Sequence, residues 1–294
     1  MKILLTGRTG QVGSELLRTL APLGELIAPG RAACDLGDAA SLRAMVRSTR
    51  PDVIVNAAAY TAVDQAESDR AAAFAVNAEA LAILGQEAEH LGALVLHFST
   101  DYVFNGAQER PYNERDRPDP LNVYGASKCQ GELALGAACS RHLILRTSWV
   151  LGPHRHNFAR TVLRLAREKA SFGVVADQYG APTSAALLAQ TAAQMLHRIG
   201  PDTCGVYHVA AAGSTNWHDY ARFVLAEAVA AGAQLKAGPD AVFALATGQY
   251  PTPARRPSNS RLDTALLRTH FGLVLPPWQD GVRQVVQQIL ESEP

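Results

Sequence analysis

Apolar runs of four to eight residues punctuate the first half of the chain: KILLT (2–6), ELIA (25–28), DVIVNAA (52–58), ALVLHFST (93–100) and HLILRTS (142–148). Their apolar residues are consecutive rather than alternating, the pattern of strands covered on both faces. Between them, residues 12–21, 39–49, 67–91 and 125–138 have helix-forming, Ala-rich composition that suits close packing on a sheet. Strand–helix alternation predicts an α/β domain over 1–150: a doubly wound parallel sheet with right-handed crossovers. After about residue 150 the rhythm changes. Gly-, Pro- and polar-rich loops (151–157, 177–184, 249–260) separate helical stretches at 158–169, 185–198, 216–231 and 279–291. They predict a smaller lobe over 151–294, mainly for substrate, with some segments returning to the main domain.

Composition narrows the function classes. The chain has 294 residues, 48% hydrophobic and 18% charged, which is ordinary for a soluble globular protein. With 27 basic and 27 acidic residues it offers no net field for nucleic acid or an acidic membrane. Arg outnumbers Lys by 23 to 4, which would fit phosphate recognition, although codon usage is the favoured explanation. The four cysteines (Cys34, Cys129, Cys139, Cys204) form no paired framework and read as free thiols. No apolar run is long enough to span a bilayer, and MKILLTG enters a strand without a signal-peptide core, so a cytoplasmic location is expected.

Residues 6–13, TGRTGQVG, stand between the first strand and the first helix. In that setting Gly7 turns the chain, Gly10 admits a pyrophosphate, and Gly13 lets helix and strand pack. The helix N-terminus adds free N–H groups for the phosphates, so a dinucleotide is expected here. After the second strand the sequence reads LIAPGRAACDL, with Arg31 and no carboxylate at the strand end. An arginine there accepts a 2′-phosphate, whereas an acid would hold a free ribose hydroxyl; NADPH is therefore the preferred cofactor, with NADH tolerated.

Tyr124 and Lys128, in NVYGASK, share one helical face one turn apart. A tyrosine is a good proton donor at neutral pH, and a nearby ammonium would favour its phenolate, so the pair can give and take a proton. Thr100 and Asp101 emerge where the fourth strand ends in STD, at the edge where open α/β sheets bind ligands. Thr100, Tyr124 and Lys128 together make a carbonyl-reducing site.

TGRTGQVG, RPDVIVNAAAYTAVDQAE, STDYVF, PLNVYGASK, RTSWV, DQYGAPTS and PARRPSNSRL resemble, in order and spacing, the extended short-chain dehydrogenase/reductase superfamily. Within it they resemble the dTDP-4-dehydrorhamnose reductase family. The resemblance covers essentially the whole chain and implies a Rossmann-like fold and NAD(P)H-dependent reduction of the C4 ketone of dTDP-4-dehydro-β-L-rhamnose. It assigns Tyr124 as the acid, Lys128 to the nicotinamide ribose, Thr100 to the ketone and Asp101 to the sugar. It also places Gly10, Gln11, Val12, Asp35, Leu36, Ala59, Tyr60 and Thr61 along the dinucleotide and Trp149 against the dTDP-sugar. Arg256 would meet the nucleotide phosphates, a role Arg255 could also fill.

A dehydratase of the same superfamily would need a glutamate after Asp101, where Tyr102 stands. A related dTDP-4-keto-6-deoxysugar reductase of another pathway, and a non-catalytic nucleotide-binding regulatory subunit, are the rival readings. A homodimer is compatible with the resemblance. Bridging of such a dimer by Mg2+ is disfavoured, because Ala186 occupies the position after GAPT where a carboxylate would be needed; Glu15, Glu291 and Glu293 are the remaining acidic candidates. His154 and His156 lack a third ligand and read as loop residues, so no metal is assigned. Trp217 and Trp278 read as packing residues.

Overall fold

The computed structural model describes residues 1–200 and 202–292; Glu293 lies outside them. In chain order the first half runs β1 (Lys2–Thr6), α1 (Gln11–Leu20), β2 (Glu25–Ile27), α2 (Ala39–Thr49) and β3 (Val53–Asn56). There follow α3 (Val63–Ala66), α4 (Arg70–Phe74), a π-helical turn (Ala75–Glu79), α5 (Ala80–Leu91), β4 (Leu94–Thr100), α6 (Val123–Ala138) and β5 (His142–Thr147). The second half contributes β6 (Val150–Leu151), α7 (Phe158–Glu168), β7 (Phe172–Val175), β8 (Tyr179–Gly180), β9 (Thr183–Ser184) and α8 (Ala185–His197). It ends with β10 (Gly205–His208), β11 (Thr215–Asn216), α9 (Trp217–Ala230), β12 (Val242–Leu245), α10 (Ala265–Phe271) and α11 (Trp278–Glu291).

The five expected strands form one parallel sheet, in the order β10-β5-β4-β3-β1-β2. The sixth, β10, escapes a reading of the sequence: it is four residues long and lies among turn-forming residues. It pairs Gly205–His208 with Leu143–Arg146 of β5. The strand order reverses at β1, whose neighbours are β3 and β2, so the connections leaving β1 and β3 diverge and open a crevice at the carboxyl edge.

Both faces of the sheet's centre are buried, which is why its central strands are mostly apolar. Ile3, Leu5, Val53, Val55, Leu94 and Leu96 point to one core, completed by Leu16 and Leu20 of α1 and by Leu188, Ala192 and Met195 of α8. Leu4, Ile54, Val95 and Ile144 point to the other, against Leu42, Leu81, Leu84 and Leu135. A third core, built from α7, α9 and α11 around Leu163, Tyr220, Val224, Trp278 and Val282, belongs to the second half alone. No helix among the described residues is long and apolar enough to cross a membrane.

The stretch read as one helix over 67–91 is broken. α4 passes into α5 through the π-helical turn, whose Asn77 is 1% exposed. A π-turn inserts one residue into the ladder, a feature concentrated at functional sites. Here it places Asn77 between the Tyr60 backbone and Ser127 of α6.

Candidate active site

The crevice is a cleft of about 1010 Å³ running from the Gly-rich turn, past the ends of β1, β3 and β4, to the second lobe. Gly7 has φ +78, a left-handed conformation that only glycine adopts without strain, and its backbone rests on that of Ala57 and Ala58. A Cβ on Gly13 would lie 2.0 Å from the Gly7 carbonyl oxygen, so only glycine lets α1 start this close to the turn. Gly10 caps α1 without a side chain, and a Cβ there would meet only the Gly7 carbonyl oxygen, at 3.4 Å. The first N–H groups of α1 therefore have no side-chain cap.

Most expected dinucleotide contacts line the cleft: Gly7, Gly10, Gln11, Val12, Arg31, Asp35, Leu36, Ala59, Tyr60 and Thr61. Gly13 lies beneath it. Arg31 is 84% exposed, and its Nε donates to Asp35 at 3.2 Å. Arg8, which the sequence did not single out, also lines the cleft, with its guanidinium against Gly30 at the end of β2. Asn77 is a further unforeseen residue. Its amide donates to the Tyr60 carbonyl at 3.0 Å and to Ser127 Oγ at 2.9 Å, while its Oδ1 accepts from the Tyr60 N–H at 2.9 Å. It ties the Ala59–Thr61 loop to α6.

α6 starts at Val123 because the Asn122 side chain accepts from the Gly125 N–H at 2.8 Å, an N-cap. The cap sets Tyr124 and Lys128 on the cleft face, with Thr100 and Asp101 opposite at the end of β4. Tyr124 lies within hydrogen-bonding reach of the Thr100 hydroxyl; burial pushes its pKa up to about 12, the Thr100 bond opposing. Lys128 is not among the groups that lower it. The lysine is 1% exposed and turned inward, its Nζ 2.8 Å from His97 Nε2 and donating to the Phe98 carbonyl at 2.7 Å. Burial also pushes Asp101 up to about 7, and its Oδ2 has no hydrogen-bond partner among the described residues. A phenol that holds its proton, a hydroxyl beside it and an orphaned buried carboxyl oxygen suit a ligand carrying a carbonyl and neighbouring hydroxyls.

Trp149 closes the far end. It takes φ +48, unusual for a non-glycine residue, and stacks on Trp217 with centroids 3.7 Å apart. A Cβ on Gly180 would lie 2.6 Å from the Trp149 ring, which explains the glycine of DQYGAPTS. Trp217 lines the cleft as well as packing against the third core, a double role its sequence setting did not reveal. Trp278 lies in that core. Arg256 is set back from the cleft, gripping Asp64 through two nitrogens at 2.9 and 3.3 Å, and Arg255 is exposed. His154 and His156 are exposed, and no group of three or more His, Cys, Asp or Glu among the described residues could hold a metal ion.

A parallel doubly wound sheet with a Gly-rich first turn, and Thr, Tyr and Lys at its carboxyl edge, defines an NAD(P)-dependent short-chain dehydrogenase/reductase of the extended type. Residues 1–291 match the family described as RmlD substrate binding domain. The chain is 49% identical to dTDP-4-dehydrorhamnose reductase of Escherichia coli K12 and 48% identical to that of Salmonella typhimurium LT2, over 99% of each chain in both comparisons. Its fold is similar to the crystal structure of the Bacillus anthracis dTDP-4-dehydrorhamnose reductase in complex with NADP, with TM-score 0.90 and 32% identity over 98% of this chain and 100% of that one. The chain belongs to the dTDP-4-dehydrorhamnose reductase family.

Proposed function

We propose that the protein reduces the C4 ketone of dTDP-4-dehydro-β-L-rhamnose to give dTDP-β-L-rhamnose, with Tyr124 as proton donor. The observation that carries this is the seating of the Tyr124 phenol beside Thr100 in a cleft of about 1010 Å³ that reaches from the Gly-rich turn to Trp149 and Trp217. The uncapped start of α1 and the close backbone approach at Gly7 and Gly13 fit a pyrophosphate, and Gly10, Gln11 and Val12 would hold it. Bound NADPH supplies the hydride. Arg8 and Arg31 lie where its 2′-phosphate would be met, and Asp35 and Leu36 where its adenosine would lie.

On the protein's side, Thr100 donates to the substrate ketone oxygen and orients it toward the Tyr124 hydroxyl. Tyr124 gives that oxygen its proton, and the raised pKa keeps the proton in place until negative charge develops on the oxygen. Lys128 meets the nicotinamide ribose and supports the phenolate left behind. The orphaned Oδ2 of Asp101 binds a sugar hydroxyl, and Trp149 packs on the dTDP-sugar. Arg256, already held by Asp64, lends its positive charge to the nucleotide phosphates. Incubation with the dTDP-4-keto sugar and NADPH, with NMR of the product, tests the reading. dTDP-β-L-rhamnose is expected; another C4 epimer, or no turnover, would overturn it.

A further inference from the structure

From Thr6 in the cleft wall a chain of buried polar side chains with no part in the chemistry above runs inward through Asn56 to His97, all 2% exposed or less. The direction of its hydrogen bonds can be worked out from one end. The Ala58 N–H, at 3.2 Å, and the Thr6 hydroxyl, at 2.5 Å, both converge on Asn56 Oδ1. Turning the Asn56 amide over would leave that buried N–H facing an NH2 group, so the carboxamide orientation is set by the backbone. Asn56 Nδ2 must then donate to His97 Nδ1, 3.0 Å away. An imidazole whose Nδ1 accepts carries its single proton on Nε2. That Nε2–H points at Lys128 Nζ, 2.8 Å away. An ammonium has no lone pair to receive it; an amine does, and still has hydrogens for the Phe98 carbonyl at 2.7 Å.

We infer that His97 is a positioning residue that holds Lys128 as a neutral amine in the ligand-free protein, so that seating the dinucleotide requires Lys128 to take up a proton. The charged and titratable groups around the lysine are arranged for this. On α6 itself, Glu132 is one turn away, but its carboxylate is engaged by Arg146 of β5 at 2.6–3.1 Å and by Ser99 of β4 at 2.5 Å. Tyr124 keeps its proton, and Asp101, at the end of β4 and raised to about 7 by burial, accepts from Thr100 rather than from Lys128. His97 itself is held uncharged, chiefly by burial. Among the described residues no carboxylate pairs with Nζ, and burial pulls the Lys128 pKa down to about 7, Glu132 opposing.

This coupling rests on the reading of Lys128 as the residue that meets the nicotinamide ribose. In the ligand-free state the amine is parked on His97; on the ribose hydroxyls it serves as an ammonium donor. The transfer is acid–base only: one solvent proton is added to Nζ, and His97 keeps its Nε2 proton throughout. Binding therefore strengthens as pH falls from about 9 toward 7, because the bound state carries the extra proton.

Two measurements test the inference. Long-range 1H–15N correlation spectra of the ligand-free protein near pH 8 should show His97 as the Nε2–H tautomer. The Nδ1–H tautomer or an imidazolium would overturn the inference directly, since Lys128 could then donate to His97 as an ammonium. Calorimetric titration with NADP+ in buffers of different ionisation heat should show uptake of about one proton per site near pH 8. The uptake should vanish in Lys128→Met. It should fall strongly in Asn56→Asp, whose carboxylate would draw the imidazole proton to Nδ1 and leave Nε2 as an acceptor. The Nε2–H tautomer without proton uptake in the unaltered protein would instead refute the link between Lys128 and the ribose.

Discussion

Removal of either arginine beside the end of β2 should separate NADPH from NADH, and by unequal amounts. An arginine–phosphate contact is a charge-assisted hydrogen bond worth about 1.5–3 kcal/mol, and solvent exposure pulls it to the lower end. Arg8 is exposed and has no ion-pair partner among the described residues, so it can give that lower figure in full. Arg31 starts 3.2 Å from Asp35 with 84% of its side chain exposed. Turning to a phosphate forfeits that contact, which at the surface is worth about 0.2–1 kcal/mol. With 1.4 kcal/mol equal to a factor of ten, Arg8→Ala should lower kcat/KM for NADPH by about tenfold, and Arg31→Ala, with about 0.5–1.3 kcal/mol left, by about two- to ninefold. Both should leave NADH nearly unchanged. Steady-state oxidation of each cofactor at saturating ketosugar measures the ratios, and equilibrium binding of 2′,5′-ADP against 5′-AMP isolates the phosphate. Equal loss with both cofactors in Arg8→Ala, or a larger selective loss in Arg31→Ala, would refute the reasoning.

Tyr124→Phe removes the transferable proton alone, so kcat should fall by about 10²–10⁴ while NADP+ binding, followed by fluorescence, persists; retention of more than about a tenth of kcat would exclude Tyr124 as the acid. EDTA should leave turnover largely intact, because Ala186 supplies no carboxylate in α8; complete loss restored only by Mg2+ would show otherwise. Glu87 joins α5 to Arg43 and Arg47 of α2 at 2.7–2.8 Å, and the bonds from Arg47 and then Arg43 hold its pKa down to about 2. A depressed carboxyl contributes stability that is complete above its unfolded value near 4.5 and is lost as pH falls toward 2. Glu87→Gln should therefore lower Tm by about 2–4 °C at pH 7 and flatten the acid limb of the Tm–pH curve; an unchanged acid limb would contradict this.

The sheet was legible in the sequence because each central strand is buried on both faces and is therefore mostly apolar. The Gly-rich turn, the STD strand end and the Tyr124–Lys128 spacing were legible because backbone geometry and chemistry restrict the residues allowed there. What stayed hidden depends on partners distant in sequence. His97 reads as one polar residue in an apolar strand until Asn56 and Lys128 are seen around it, 41 and 31 positions away. Asn77 gains its role from a π-turn that composition does not mark, and Trp217 from a stacking partner on another element. The inward turn of Lys128 was also hidden, since spacing fixes which face a side chain takes but not what it meets there.

The membership of β10 in the main sheet bears on how the chain can be divided. A fragment ending near residue 150 would keep the Gly-rich turn, Thr100, Tyr124 and Lys128, yet β5 would become a bare edge with Leu143 and Leu145 beside it. The same cut would strip α8 from one face and uncover Leu16 and Leu20. Unpaired backbone next to uncovered apolar surface is a template for aggregation. The dinucleotide half is therefore not a transplantable cassette: ribosomal synthesis has to proceed past residue 208 before its sheet can close, and the nascent chain carries an open flank until then.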